Sequence, residues 1–391
     1  MSTQQAQGYM PQLDGLRGVA ILAVMTVHFG LGSLLPSEQY STAFRGAGLS
    51  AFFVLSGFLI TENLLKQRPG HPLTMGLFGK HLLIFFMRRG FRIYPAYFFL
   101  ILTLTIIGFE GISKVAIWHY IFVANMDFAR YVDITSSYAL AHAPTAHLWS
   151  ISVQEQFYLV LPLAIFLLRG RALVVAIISA ILIAPLWRFY WIFVDNSSTT
   201  IHHLFALPSL LDTLLSGSLL ALYKRDYCGI RSQCSRYMNR VVPLAVAITV
   251  LMICSKGAGI GSRYTTLLFD PFFAISIGYV IYNASNNVNN AAGRFLNFRF
   301  LRFLGQISFG LYLYHAFAPH LADFVFSGTS LSPDRSSLLW VLSYIAISVL
   351  LAWASLKIIE KPALAFRSKI IHRIRSSANR NIGTQGLQPH T

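Results

Sequence analysis

Apolar stretches of membrane-spanning length alternate with short polar segments from residue 13 to about residue 358. The pattern predicts ten transmembrane helices, over 13–34, 46–65, 92–109, 147–168, 171–194, 203–223, 242–255, 264–283, 303–326 and 335–358. A further run, VAIWHYIFVANM at 115–126, is too short to cross unaided and is read as an interfacial segment. The fold class that follows is an all-α polytopic membrane protein. Its expected parts are a short N-terminus (1–12), a transmembrane domain (13–367) and a basic tail (368–391), polar enough from 376 onward to be read as disordered.

Basic residues give this frame an orientation. Of the 31 lysines and arginines, 23 fall on the segments of one side, Arg367 among them, and 7 on the other, Arg188 among them, with Arg17 inside the first helix. The rule that positive charge stays inside then puts both termini in the cytoplasm. Composition agrees with a membrane protein: 55% of the 391 residues are hydrophobic and 12% charged. The net charge of +17 reflects topology and attraction to anionic membrane lipids, so no nucleic-acid partner is needed to explain it. Cys228, Cys234 and Cys254 have no metal or redox spacing, and no metal is expected. The first apolar segment lacks a basic n-region and is read as an uncleaved helix.

Polar residues inside the apolar runs are the candidates for chemistry. In LDGLRGVAILAVMTVHF (13–29), Arg17 and His28 lie eleven positions apart, which is ~20° around a helix and ~16 Å along it. Asp14 lies one turn below Arg17 on the same stripe, where a plain salt bridge is the competing reading. In FMRRGFRIYP (86–95), Arg89 and Arg92 share a helical face and can grip a phosphorylated ligand through forked hydrogen bonds. Topology alone also explains basic residues there, and for Arg88 that explanation is preferred. In HLWSISVQEQFYLVLP (147–162), His147, Trp149 and Ser150 sit near the outer face, with Trp149 suited to an interfacial belt. Glu155 lies deeper, at a depth His28 can reach. A carboxylate beside an imidazole makes a general base, and a helix–helix hydrogen bond is the equal alternative. In LGQISFGLYLYHAF (304–317), Tyr312, Tyr314 and His315 offer polar lining, with a packing role preferred. Asp212 is read as a bundle hydrogen bond, and Glu360 with Lys361 as packing or topology.

Taken together and in order, these blocks, with FFVLSGFLIT (52–61) and IEKP (359–362), resemble the acyltransferase-3 family of bacterial membrane O-acyltransferases. The resemblance runs from about residue 10 to 367. It implies transfer of an acyl group, commonly acetyl, from cytosolic acetyl-CoA or another acyl-CoA to a hydroxyl of a glycan or glycolipid. Acceptors in the family include lipopolysaccharide O-antigens, exopolysaccharides and oligosaccharide signals, and the setting is the bacterial cytoplasmic (inner) membrane. The family's essential first-helix histidine matches His28 and its first-helix arginine Arg17. Its arginine pair matches Arg89 and Arg92. These three arginines are expected to hold the phosphates of coenzyme A, with His28 and Glu155 catalytic and Asp14, Trp149, Ser150, Tyr314 and His315 supporting. Either direct transfer or an acyl-histidine intermediate fits.

Three departures from the family pattern bear on those roles. Many members carry two adjacent glutamates where this chain has Gln154 and Glu155, so the assignment of Glu155 fails if the first is the working one. Ser50 and Gly310 stand where an acid and a serine are common. Without the added extracytoplasmic esterase-like domain of some members, acceptor recognition is expected from the membrane domain or a partner. The rival reading is a transporter or flippase for a lipid-linked glycan, which ten spans and a polar cavity also suit.

Overall fold

The computed structural model describes residues 9–28, 38–69, 74–109, 112–126, 143–195, 203–257, 263–327 and 338–385; the side chain of His28 lies outside that description. Among the described residues all regular structure is helical. This is what lipid imposes on an apolar chain, because backbone N–H and C=O groups must find partners within the segment. The main helices are α1 (Pro11–His28), α2 (Glu38–Gln67), α3 (Met75–Ile106), α4 (Ile112–Tyr120), α5 (Trp149–Leu167) and α6 (Arg171–Phe189). They are followed by α7 (Leu211–Lys224), α8 (Ile230–Gly257), α9 (Arg263–Ser285), α10 (Ala291–Leu296), α11 (Arg299–Tyr314), α12 (Ala318–Phe326), α13 (Leu338–Ser355) and α14 (Lys361–Gln385).

Each expected span falls on helix over its described residues, but the helices are not equally suited to cross a bilayer. Six stretches among the described residues are long and apolar enough: Ala43–Gln67, Trp149–Leu167, Arg171–Asp195, Tyr227–Ser255, Arg263–Ser285 and Leu338–Ile374. The other four carry visible departures. The first, α1, holds Asp14 and Arg17. Arginines interrupt the polar first half of α3. The stretch 203–223 begins with a 3-10 turn at Leu207–Leu210 before α7. The stretch 303–326 is broken by a 3-10 turn at His315–Phe317 into α11 and α12. The short run at 115–126 starts in α4, which is nine residues and ~14 Å long, continues past its end at Tyr120, and is held to α3 by a 3.0 Å hydrogen bond between Tyr97 and His119. The last helix continues into the segment expected as a tail.

Two helix pairs set the geometry of the bundle. In α2 and α7, a Cβ at Gly57 would lie 1.8 Å from the Leu214 carbonyl oxygen, and one at Gly217 only 1.9 Å from that of Val54. The glycines therefore let the two backbones touch, which is how helices associate when lipid removes the hydrophobic drive between them. The same contact joins α1 to α11, where a Cβ at Gly305 would meet the Asp14 carbonyl oxygen at 1.8 Å. That contact fixes the height of Asp14 and Arg17 against the neighbouring helix.

A buried ion cluster ties α6, α7 and α9 together. Arg188, 1% exposed, pairs with Asp212 through a short bond, donates to the Ser209 carbonyl at 2.6 Å and reaches Asp270 at 3.5 Å. Ser50 donates to the other Asp270 oxygen at 2.9 Å. Asp212 thus does form the bundle contact expected of it. Arg188, assigned by sequence to the outer loops, is instead interior, because two carboxylates there stabilise its charge better than a protein–lipid boundary would.

Candidate active site

Helices α1, α2, α3, α5, α11 and α14 enclose a cavity of about 380 Å³. Its lining runs along α2 from Gln67 to Leu49, eighteen residues or ~27 Å of helix. The two ends differ in chemistry. Toward Gln67 the wall carries Arg17, Arg88, Arg89, Arg92 and Arg367, and among the described residues no carboxylate lines the cavity. Toward Leu49 it is closed by Phe52, Ile151, Phe309 and the hydroxyls of Ser150 and Tyr312.

The expected arginines are therefore brought together. Arg17 is anchored by Asp14 at 2.7 Å, whose second oxygen accepts from Tyr9 at 2.8 Å. One turn of α3 separates Arg89 from the exposed Arg92, and Arg89 lies 5.2 Å from the centre of the Tyr158 ring. Asp14 neutralises one guanidinium and leaves the rest as a surplus of positive charge, a lining that suits a polyanion. A second cavity, about 450 Å³, shares Arg17, Leu59 and Arg92 with the first and adds Gln306 and Lys361. Arg88, which sequence left to topology, and Arg367, which it counted among the basic residues of the cytoplasmic side, both belong to the wall. The facing that brings Arg367 back onto α3 is a tertiary property with no local signal.

The other expected residues divide. Ser150 lines the closed end. Glu155 does not line the cavity. Its Oε2 accepts from Tyr94 at 2.9 Å, and Tyr94 projects from the α3 face roughly opposite the arginines. Its Oε1 is buried without a hydrogen-bond partner among the described residues. The neighbouring Gln154 is in the wall and accepts from Tyr158 at 3.2 Å. Trp149 packs edge-on between Phe53 and Phe205, at 6.3 and 4.6 Å. Tyr314 donates to Ser355 at 3.2 Å and thereby joins α11 to α13. His315 is fully buried, its Nδ1 bonded to the Tyr312 carbonyl at 2.8 Å, with its ring 4.7 Å from that of His147.

His28 ends α1, and only its backbone position enters the argument. A Cβ at Gly48 would lie 2.6 Å from the Ala20 carbonyl and 2.9 Å from the Val24 side chain. Leu49 at the closed end is thus level with residues 20–24 of α1. His28 follows Val24 by one turn, ~6 Å further along the axis. Met25 shares a buried cluster with Leu311 and Ala318, which flank the Tyr312–His315 turn. The Leu49 end of the cavity lies about one to two turns short of His28.

Comparison with known proteins bears on what such a cavity serves. Residues 10–357 match the family described as "Acyltransferase domain" (Acyl_transf_3). The chain belongs to this acyltransferase family. Among its relatives are the peptidoglycan O-acetyltransferase OatA of Listeria monocytogenes (26% identical, covering 80% of this chain and 50% of the relative) and the O-acetyltransferase OatA of Staphylococcus aureus (30% identical, 78% and 50%). A putative peptidoglycan O-acetyltransferase, YrhL of Bacillus subtilis, is 26% identical over 95% of this chain and 58% of its own length. The acyltransferase chain thus spans about half the length of the curated relatives it matches. No solved structure matches it.

Proposed function

We propose that this protein is a multi-pass enzyme of the bacterial cytoplasmic membrane that moves an acetyl group from cytosolic acetyl-CoA to a hydroxyl of a cell-surface glycan. The observation that carries the reading is the polarity of the cavity. Five guanidiniums crowd one end, and the other end, apolar and hydroxyl-bearing, stops one to two turns of α1 short of His28. A donor with phosphates at one end and a thioester at the other matches that gradient. The arginines hold the phosphates in the cytosol-facing half through charge-assisted hydrogen bonds, and the pantetheine arm runs along α2. His28 takes the proton of the acceptor hydroxyl as its oxygen bonds to the acyl carbon. The carbon–sulfur bond breaks, and the thiolate leaves and is protonated to the free thiol.

The names of the relatives support a cell-wall glycan, peptidoglycan among them, as the acceptor class. Ten spans with both termini in the cytoplasm remain the topology that best distributes the basic residues. The test uses the purified full chain in detergent. Coenzyme A should bind in isothermal titration, and acetyl-CoA should release free thiol when muropeptides or surface polysaccharides are added. A protein that binds glycan but neither coenzyme A nor acetyl-CoA would fit a transporter and overturn the reading.

A further inference from the structure

The closed end of the cavity holds a hydrogen-bond chain that the proposed chemistry has not yet used. Tyr312 Oη donates to the His147 carbonyl at 2.6 Å. Ser150 Oγ lies 2.6 Å from Tyr312 Oη and 3.3 Å from the same carbonyl. Ser150 is 1% exposed, and both hydroxyls line the cavity. Two protons are distributed over these three oxygens. The short Tyr312–carbonyl contact takes the phenolic proton, so the Ser150 proton has either Tyr312 Oη or the His147 carbonyl as its partner.

The two protons are not equally available. If the phenolic proton turned away, the buried carbonyl would lose its closest donor, a costly change. If the Ser150 proton turns into the cavity, Tyr312 keeps its donor bond and the carbonyl stays satisfied. The 2.6 Å contact between Ser150 Oγ and Tyr312 Oη then has no proton between its oxygens, so the Ser150 side chain must draw back from Tyr312, a smaller cost than leaving a buried carbonyl without its donor. Of the two donors, Ser150 is therefore the one that a ligand can borrow at the smaller cost. Its position is fixed from α11, across 162 residues of sequence, by Tyr312.

We propose that Ser150 Oγ–H donates to the carbonyl oxygen of the bound thioester, with Tyr312 as the positioning residue. This rests on the donor reading above. As the acceptor oxygen adds to the acyl carbon, the carbonyl π electrons move onto that oxygen, and Ser150 stabilises the charge until the carbon–sulfur bond breaks and the carbonyl re-forms. Donation to the ground-state carbonyl gives the effect a binding signature that needs neither turnover nor an acceptor.

Two unreactive probes isolate it. One is the ketone isostere of acetyl-CoA, with a methylene in place of the sulfur; the other is the same molecule with its carbonyl reduced to a methylene. In the wild-type chain the ketone should bind about five- to tenfold more tightly, the value of one neutral hydrogen bond in a dry site. In Ser150→Ala that preference should fall to near one while affinity for the carbonyl-free probe stays within twofold. Ser150→Thr should restore the preference, and Tyr312→Phe should reduce it without moving carbonyl-free binding. A merely structural role would lower both affinities together. A preference that survives in both Ser150→Ala and Tyr312→Phe, or uniform losses for both probes, overturns the assignment while leaving the donor reading intact. Failure of either probe to bind the wild-type chain removes the donor reading, and the assignment with it.

Discussion

Replacing Arg89 and Arg92 one at a time by glutamine should weaken donor binding in both cases yet move the stability of the empty protein in different directions. The reason lies in what each guanidinium touches. Arg92 is exposed; like charge acts on it from Arg17, Arg89 and Arg367, and Glu360 offers partial compensation. Its loss relieves repulsion worth a few tenths of a kcal/mol for each close neighbour. Arg92→Gln should therefore leave the empty protein unchanged or up to about 1 kcal/mol more stable. Arg89 has partners to lose. It faces the Tyr158 ring at 5.2 Å, a contact worth about 0.5–2 kcal/mol, and it is the cation acting on buried Glu155. Arg89→Gln should destabilise the empty protein by about 1–3 kcal/mol. Each lost guanidinium–phosphate contact is worth about 1.5–3 kcal/mol, or roughly tenfold to a hundredfold in affinity. Titration with coenzyme A and ligand-free thermal unfolding in detergent read the two quantities separately. Unchanged affinity in both variants would return the pair to a topological role. Equal destabilisation by both would refute the charge argument.

Other consequences are as direct. The cluster of Arg188 with Asp212 and Asp270 carries a net charge of minus one; Arg188→Met makes it minus two and Asp212→Asn makes it zero, so the first should cost about 3–5 kcal/mol and the second clearly less, by thermal unfolding. Gly57→Ala should cost more than about 2 kcal/mol because its Cβ meets backbone at 1.8 Å, whereas Gly79→Ala on α3, which meets nothing within 4 Å, should be neutral or slightly stabilising. His28→Ala should abolish acetyl transfer with coenzyme A affinity unchanged; normal turnover by a well-expressed variant would exclude His28 from the chemistry. Reporters fused within 66–80 or after 375 should report cytoplasm and one near 195–200 the outside, and an outside signal from the loop at 224–240 would break the ten-span frame.

How much of the site the sequence disclosed depends on the distance over which each residue's role is decided. The Arg17–Asp14 pair and the Arg89–Arg92 stripe are one-turn relations, and helical periodicity reads them directly. The contact of Gly305 with the Asp14 carbonyl, and the return of Arg367 to the arginines, depend on how separate helices meet. No local pattern encodes either. Arg188 shows the same limit from the other side. A lone arginine near the end of an apolar run reads as a loop residue until the carboxylates of two other helices are seen beside it.

The adjacent pair Gln154 and Glu155 shows where a legible pattern was misjudged. Residues 150, 151, 154 and 158 of α5 all line the cavity. At 100° per residue they span an arc of about 100° centred some 50° round from Ser150, while Glu155 falls roughly 90° from that centre. The stripe was therefore readable from Ser150, Gln154 and Tyr158, four residues apart. The ionised residue drew attention away from it because a buried carboxylate is costly and invites a catalytic explanation. In the structure its hydrogen bond from Tyr94 and the nearby charge of Arg89 offset part of that cost. Glu155 thereby holds the rear of α3, and so the helix that presents Arg89 and Arg92. A carboxylate of that kind acts on the donor site through the position of α3. Glu155→Gln, which keeps an acceptor for Tyr94, should therefore preserve coenzyme A binding far better than Glu155→Leu, which does not.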